Sequence, residues 1–175
     1  MKLLIAFGTT EGQTRKIAER IAARLQGKGH QAELYDTDRR PRDLDVGDFD
    51  AIVVAASVHQ RVHQDSIKDF VTAHLPQLQS RPSAFISVSL SSAFPDGQSE
   101  AQGYIDDFLA SANWQPKHCL KAAGALRYSE YDYFKEQIIK HVVLKGRSDD
   151  IHTGRDHEFT DWAVINQFID QFVLR

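Results

Sequence analysis

The sequence holds one cysteine, Cys119, so no disulfide framework and no cysteine-based metal centre can form within one chain; a reducing compartment is the simplest setting. Positive charge is not in excess either. A formal net charge of −3 excludes a global pull toward nucleic acid and leaves only local basic sites. Long apolar runs are missing: nothing approaches the roughly 18 residues of a membrane span, and Met1-Lys2-Leu3-Leu4-Ile5 is too short for a signal peptide. These absences predict a cytoplasmic protein that meets a membrane only at its surface. With 175 residues, 42% of them hydrophobic, the chain is expected to form one globular domain over 1–175 with a sizeable core.

Three familiar motifs are also absent. There is no Gly-x-Ser-x-Gly elbow of a triad hydrolase, no GxxxxGK[ST] phosphate loop, and no GxGxxG, since only Gly8 and Gly12 stand near the N-terminus. What stands there is Ile5-Ala6-Phe7-Gly8-Thr9-Thr10-Glu11-Gly12-Gln13-Thr14-Arg15-Lys16-Ile17-Ala18. Lys2 to Phe7 reads as a buried strand, and Ile17, Ile21 and Leu25, four apart, draw an apolar stripe on a following helix. The turn between them opens on a helix N-terminus, where unpaired N–H groups and the positive end of the helix dipole favour an anion. Thr9, Thr10 and Thr14 add hydroxyls, Gln13 an amide, and Gly12 lets the backbone come close to a ligand. Capping of the helix by one threonine is the plainer alternative. One cap needs one hydroxyl, and this turn has three.

Strands and helices then alternate. Gln31 to Asp36 has the polar–apolar pattern of an edge strand; Asp50 to Ala56 and Ala84 to Val88 are continuous apolar runs, as strands buried on both faces require. Ile67, Phe70, Val71, Leu75 and Leu78 predict one helix closed before Pro82; Ile105, Phe108, Leu109 and Ala112 predict another; Cys119 to Leu126 predicts a fifth strand. Trp162, Ile165, Phe168, Ile169 and Phe172 share one face of a last helix. The fold class is therefore α/β, a doubly wound parallel sheet whose ligand binds beyond the carboxyl ends of the strands, where strand order reverses. Besides the first turn, the loops Ser57-Val58-His59-Gln60-Arg61-Val62-His63 and Ser89-Leu90-Ser91-Ser92-Ala93-Phe94 should meet that ligand. His59 and His63 lie four apart, but no third ligand completes a metal site, and both are expected to be solvated or to sit beside the ligand. About 30 residues between the fifth strand and the last helix, roughly 128–157, exceed what a five-strand unit needs. They carry Tyr128, Tyr131, Tyr133 and Phe134 beside an apolar stripe through Ile138 and Val142, which is either helix packing or a docking surface for a large flat partner.

The first loop resembles that of the flavodoxins, in which an aromatic-ended strand leads into Ser/Thr-x-x-Gly-x-Thr with an Ala one turn later; Phe7, Thr9, Gly12, Thr14 and Ala18 fill those places. That resemblance implies strand order 2-1-3-4-5 and one FMN. Its phosphate would lie on Thr9, Thr10, Glu11 (through its backbone), Gly12, Gln13 and Thr14, with its ring between Ser57, Val58, His59 and Ser89, Leu90, Ser91, and with His59 or Phe94 supplying an aromatic face. Over the whole chain, Gly12-Gln13-Thr14-Arg15, Ala56-Ser57, Pro82-Ser83-Ala84-Phe85, Trp114 with Pro116 and Cys119, Ala123-Gly124-Ala125-Leu126-Arg127-Tyr128 and Thr160-Asp161-Trp162 resemble the menaquinone-dependent protoporphyrinogen oxidase family of bacterial haem synthesis. The resemblance implies FMN-dependent oxidation of a porphyrinogen with menaquinone or ubiquinone as acceptor, peripheral contact with the inner membrane, and Arg127 and Tyr128 at the substrate, Arg127 on a propionate. It names no catalytic acid or base. Two departures stand out: His59-Gln60-Arg61 replaces an Arg-Tyr-Gly stretch, and Asp96, Glu100, Glu130, Asp132 and Glu136 stand in regions usually rich in Lys and Arg. A quinone or small-molecule reductase and an electron-shuttling flavodoxin remain open beside the haem-pathway enzyme.

Overall fold

The computed structural model describes residues 1–39, 44–127 and 156–174. Five parallel strands form its centre: β1 (Lys2–Gly8), β2 (Gln31–Asp36), β3 (Ala51–His59), β5 (Ser83–Ser89) and β6 (His118–Ala123), in the spatial order β2-β1-β3-β5-β6. This is the expected 2-1-3-4-5 arrangement. The three middle strands are buried almost throughout, while β2 and β6 at the edges are not, as their sequence patterns require. Successive residues of β1 divide between two cores. Leu3, Ile5 and Phe7 face a layer built with α1 (Gln13–Gly27) and α5 (Trp162–Val173); Leu4 and Ala6 face the layer of α2 (Asp65–Ala73), α3 (Leu75–Ser80) and α4 (Gln98–Ala112).

The stripes on α1 and α5 are those read from sequence. Ile17, Ile21 and Leu25 of the first and Ile165, Ile169 and Phe172 of the last are buried in one core, each worth about 1.5–3 kcal/mol of burial. Elsewhere the local readings need correction. The helix expected through Leu75 and Leu78 is two helices broken at His74, because Pro76 has no N–H to give and its ring opposes the preceding turn. The expected strand from Cys119 to Leu126 ends at Ala123; Ala125–Leu126 is a separate strand, β7, paired antiparallel with β8 (His157–Glu158). Gly124 is the breakpoint, and a Cβ there would lie 3.4 Å from Val88 Cγ1.

The 57–63 segment is not a loop. β3 continues through His59, turns at Gln60 and Arg61, and pairs antiparallel with β4 (Val62–His63), with Val58 opposite His63 and His59 opposite Val62. Both turn residues have positive φ, 51° and 67°, which a two-residue hairpin of this twist demands. Neither is glycine, so sequence gave no turn signal. The aromatic segment from Tyr128, including Tyr131, Tyr133, Phe134 and the stripe through Ile138 and Val142, lies outside the described residues.

Candidate functional site

At the carboxyl ends of β1, β3 and β5 a cleft opens, lined by Glu11, Gln13, Thr14, Ser57, Val58, Val88, Ser89, Leu90, Gly124 and Ala125. It lies at the switch point, since β1 has β2 on one side and β3 on the other. Seven of the residues expected at a ligand line it directly. Val88, Gly124 and Ala125 were missed, and only the Gly between two apolar stretches of the fifth strand hinted at them.

The loop before α1 answers the capping question. Gly12 takes the N-cap position in the left-handed region, φ 90°, and no side chain caps the helix. Thr9 Oγ1 accepts from Gly12 N–H at 2.9 Å, which closes the loop on itself and leaves the first-turn amides of α1 without a side-chain acceptor. Thr14 is fully buried, yet its Oγ1 has no hydrogen-bond partner among the described residues. A buried hydroxyl without a partner costs about 1–3 kcal/mol. An anion seated on the helix N-terminus would satisfy it.

The remaining loop side chains hold the loop in place. Gln13 Nε2 donates to Thr160 Oγ1 at 2.8 Å, and that hydroxyl donates to the Ala123 carbonyl at 2.7 Å, tying the loop to the end of β6. Ser57 Oγ accepts from Thr10 N–H at 3.4 Å and from Gln64 Nε2, which also donates to Thr10 Oγ1 at 3.1 Å. Gln64 escaped the sequence reading because it is adjacent to the site only through the hairpin. The Thr160-Asp161-Trp162 motif now has a physical account for each residue: Thr160 braces the loop, Asp161 caps α5 by accepting from Ala163 and Val164 N–H at 2.9 and 3.2 Å, and Trp162 Nε1 donates to Glu158 at 2.8 Å.

Cations around the loop are mostly committed elsewhere. Arg15 pairs with the buried Asp36 and lies over the Phe7 ring, and Lys16 pairs with Glu158. Arg127 differs. A Cβ on Gly12 would lie 3.4 Å from Arg127 Nη2, so the guanidinium sits against the loop before α1. Its Nε is buried without a partner among the described residues, and Asp156 is 3.9 Å from Nη1. Tyr128 lies outside the described residues.

The two segments expected at a ligand divide unequally. Ser89 and Leu90 line the cleft, with Ser89 Oγ 2.8 Å from Ser92 Oγ, but Ser91 is buried and donates to Glu100 of α4 at 2.7 Å, turned away from it. Phe94 is buried against Phe159, ring centroids 5.6 Å apart, and offers no open stacking face. His59 lies beside the cleft, Nδ1 3.0 Å from Glu11 Oε1. The Glu11 side chain therefore bridges the loop before α1 to the hairpin at the edge of the cleft. His63, on the opposite face of the hairpin, is neither solvated nor beside the cleft: it is buried between Phe85 and Phe108, 2.9 Å from Ser87 Oγ, and burial lowers its pKa to about 4. The two rings point apart, so they share no metal.

Residues 4–151 match the Flavodoxin domain family. The protoporphyrinogen IX dehydrogenase [quinone] of Escherichia coli strain K12 is 33% identical over 169 residues, 96% of this chain and 92% of that protein. The chain belongs to this family of flavodoxin-domain proteins. A Leishmania major protein of the same name is 26% identical over 98% of this chain and 74% of its own length. Among solved structures, oxidised flavodoxin 1 from Bacillus cereus superimposes with a TM-score of 0.50 at 20% identity, covering 81% of this chain and 99% of that one, which bears on the fold alone. Family membership makes FMN the cofactor, and the donors fit it: an uncapped helix N-terminus, an unsatisfied buried hydroxyl and a left-handed glycine at the N-cap. No helix among the described residues is long and apolar enough to cross a membrane.

Proposed function

We propose that this protein oxidises protoporphyrinogen IX to protoporphyrin IX with a quinone as electron acceptor, using FMN held by its phosphate on the loop from Thr9 to Thr14. The observation that carries this reading is the similarity to protoporphyrinogen IX dehydrogenases along nearly the full length of both chains, with the described cleft residues inside the matched span. The flavin supplies two-electron chemistry, and the protein supplies position and electrostatics. On this reading Thr14 Oγ1 and the amides at the start of α1 hold the phosphate, Arg127 adds a nearby cation, and Ser57, Val58, Ser89 and Leu90 form the walls for the ring. On this reading the aromatic residues from Tyr128 onward, which lie outside the described residues, would dock the flat porphyrinogen, and a lipid-soluble quinone would be met at the inner-membrane surface without spanning it.

The test is direct. Purified protein should release FMN on denaturation, and porphyrin fluorescence should appear only when FMN-loaded protein, porphyrinogen and quinone are combined. Inert porphyrinogen with rapid reduction of simple quinones by NAD(P)H would replace this reading with a general quinone reductase. Arg127→Gln separates two roles for that residue. Since the side chain is 42% exposed, loss of its phosphate contact should weaken FMN by about fivefold, near 1 kcal/mol, with KM for porphyrinogen unchanged. A raised KM with unaltered FMN affinity would instead place Arg127 on a propionate.

A further inference from the structure

Thr160 is not among the residues that line the cleft, yet its hydroxyl joins two of the segments that do. The residue is buried, and its Oγ1 accepts from Gln13 Nε2 at 2.8 Å while donating to the Ala123 carbonyl at 2.7 Å. A hydroxyl has one hydrogen. With that hydrogen on Ala123, only lone pairs face Gln13, so the Gln13 side chain must present its N–H and the relay has a single polarity. Both neighbours of Thr160 are themselves held: Phe159 N–H donates to the Gly124 carbonyl at 3.0 Å, and Asp161 caps α5. Gly124 N–H in turn donates to the Ser89 carbonyl at 3.1 Å. The cleft surfaces at Gln13, Gly124 and Ser89 are thereby fixed against one another through Thr160 and its neighbours. Lys16 and Glu158 join the same two regions, but their side chains are 58% and 32% exposed. A pair so open to water contributes little, which leaves the buried relay to set the separation.

On the reading that the FMN phosphate lies on the loop before α1, we propose that Thr160 is the positioning residue that makes this protein select FMN over riboflavin. Acting through Gln13, it holds the phosphate loop at a fixed distance from the walls that receive the ring. FMN has two ends to be gripped, a phosphate and a ring, joined by a short chain. Once one end is bound, the other meets its own site at an effective concentration set by how rigidly the two sites are held apart. Gln13 is the first residue of α1, so a relay that tethers its side chain tethers the free amides of that helix N-terminus with it. Riboflavin lacks the phosphate and meets only the walls, so loosening the relay leaves its binding unchanged. Inorganic phosphate meets only the loop and is equally indifferent. The selection needs nothing of the molecule that the flavin oxidises.

Thr160→Val keeps the shape of the side chain and removes the hydroxyl; Thr160→Ser keeps the hydroxyl. Titrating FMN-free wild type and variants with FMN, riboflavin and inorganic phosphate separates a positioning residue from one that only supports the fold. Thr160→Val should bind FMN about tenfold more weakly, the scale of two lost hydrogen bonds, while riboflavin and phosphate change by less than about threefold. Thr160→Ser should return FMN to within about threefold of wild type. Gln13→Met, which keeps the length and loses the amide, should also weaken FMN and spare riboflavin, and the double variant should be no weaker than Thr160→Val because both residues act through one relay. Unchanged FMN affinity in Thr160→Val, parallel weakening of FMN and riboflavin, or additive losses in the double variant overturn the proposal. Should Thr160→Val not fold, Gln13→Met decides by the same ratio of FMN to riboflavin affinity. Equal affinity of wild type for FMN and riboflavin is a different failure, since it defeats the placing of the phosphate on the loop and the proposal with it.

Discussion

The loop before α1 and the hairpin after β3 face the same cleft, but they reach their shapes by opposite means. The loop needs one left-handed residue and has glycine there, Gly12 at φ 90°. The hairpin needs two and has Gln60 and Arg61, whose Cβ atoms crowd the backbone by about 1–2 kcal/mol each. The loop leaves its own donors unsatisfied, as Thr14 Oγ1 shows, whereas the hairpin is tied from both faces, by Glu11 on His59 and by Ser87 on His63. A surface waiting for a ligand carries its unmet hydrogen bonds toward that ligand. A surface that must hold one side chain in place carries strain in its backbone and anchors it from behind.

The comparison is most exposed to acid. His63 has a pKa of about 4 when folded, against about 6.5 unfolded, so between those values the unfolded chain binds the extra proton. Stability present above pH 6.5 is therefore lost as pH falls toward 4, by about 3 kcal/mol from this residue. Urea unfolding of wild type and His63→Gln across that range should show the variant with the flatter profile; parallel profiles would mean that the hairpin is not anchored by a buried neutral imidazole.

On the loop side, Thr14→Val sharpens the contrast because its two effects have opposite signs. Removing a buried hydroxyl without a partner should stabilise the FMN-free protein by up to about 1 kcal/mol, while loss of a donor to a charged phosphate should weaken FMN by roughly tenfold or more, about 1.5–3 kcal/mol. Thermal unfolding without FMN and a fluorescence titration with it check the pair. Equal affinity in the variant would leave Thr14 as packing only. The smallest expected effect is Arg61→Gly, which relieves one left-handed side chain but frees the unfolded backbone, for a net gain of about 0.5–1 kcal/mol. A lower melting temperature would show that the Arg61–Glu100 pair outweighs the strain.

Much of the site was legible because its chemistry is local. Small residues at 9 to 14 imply both the turn and the exposed amides, and apolar periodicity in Ile17, Ile21 and Leu25 sets which face of α1 turns inward. The hairpin was illegible for the same reason in reverse: Gln60 and Arg61 have no preference for positive φ, and only pairing across β3 and β4 holds them there. Ser91, placed by its neighbours at the ligand, turns to Glu100 instead, since β5 has ended and the tight 91–97 turn packs Gly97 under the Ser91 carbonyl, where a Cβ would stand 2.2 Å from its oxygen.

What the amino-acid order decided alone is the alternation of strands and helices, the sheet order through the family resemblance, and the small-residue loop at the first strand's end, all consequences of period and turn chemistry within a few residues. What the tertiary structure decided is which side chains cross between elements: Glu11 to His59, Gln13 to Thr160, Gln64 to Ser57 and Arg127 to the flank of Gly12. Residues 48, 147, 7 and 115 positions apart have no common local pattern, so their meeting depends on the packing of the whole sheet.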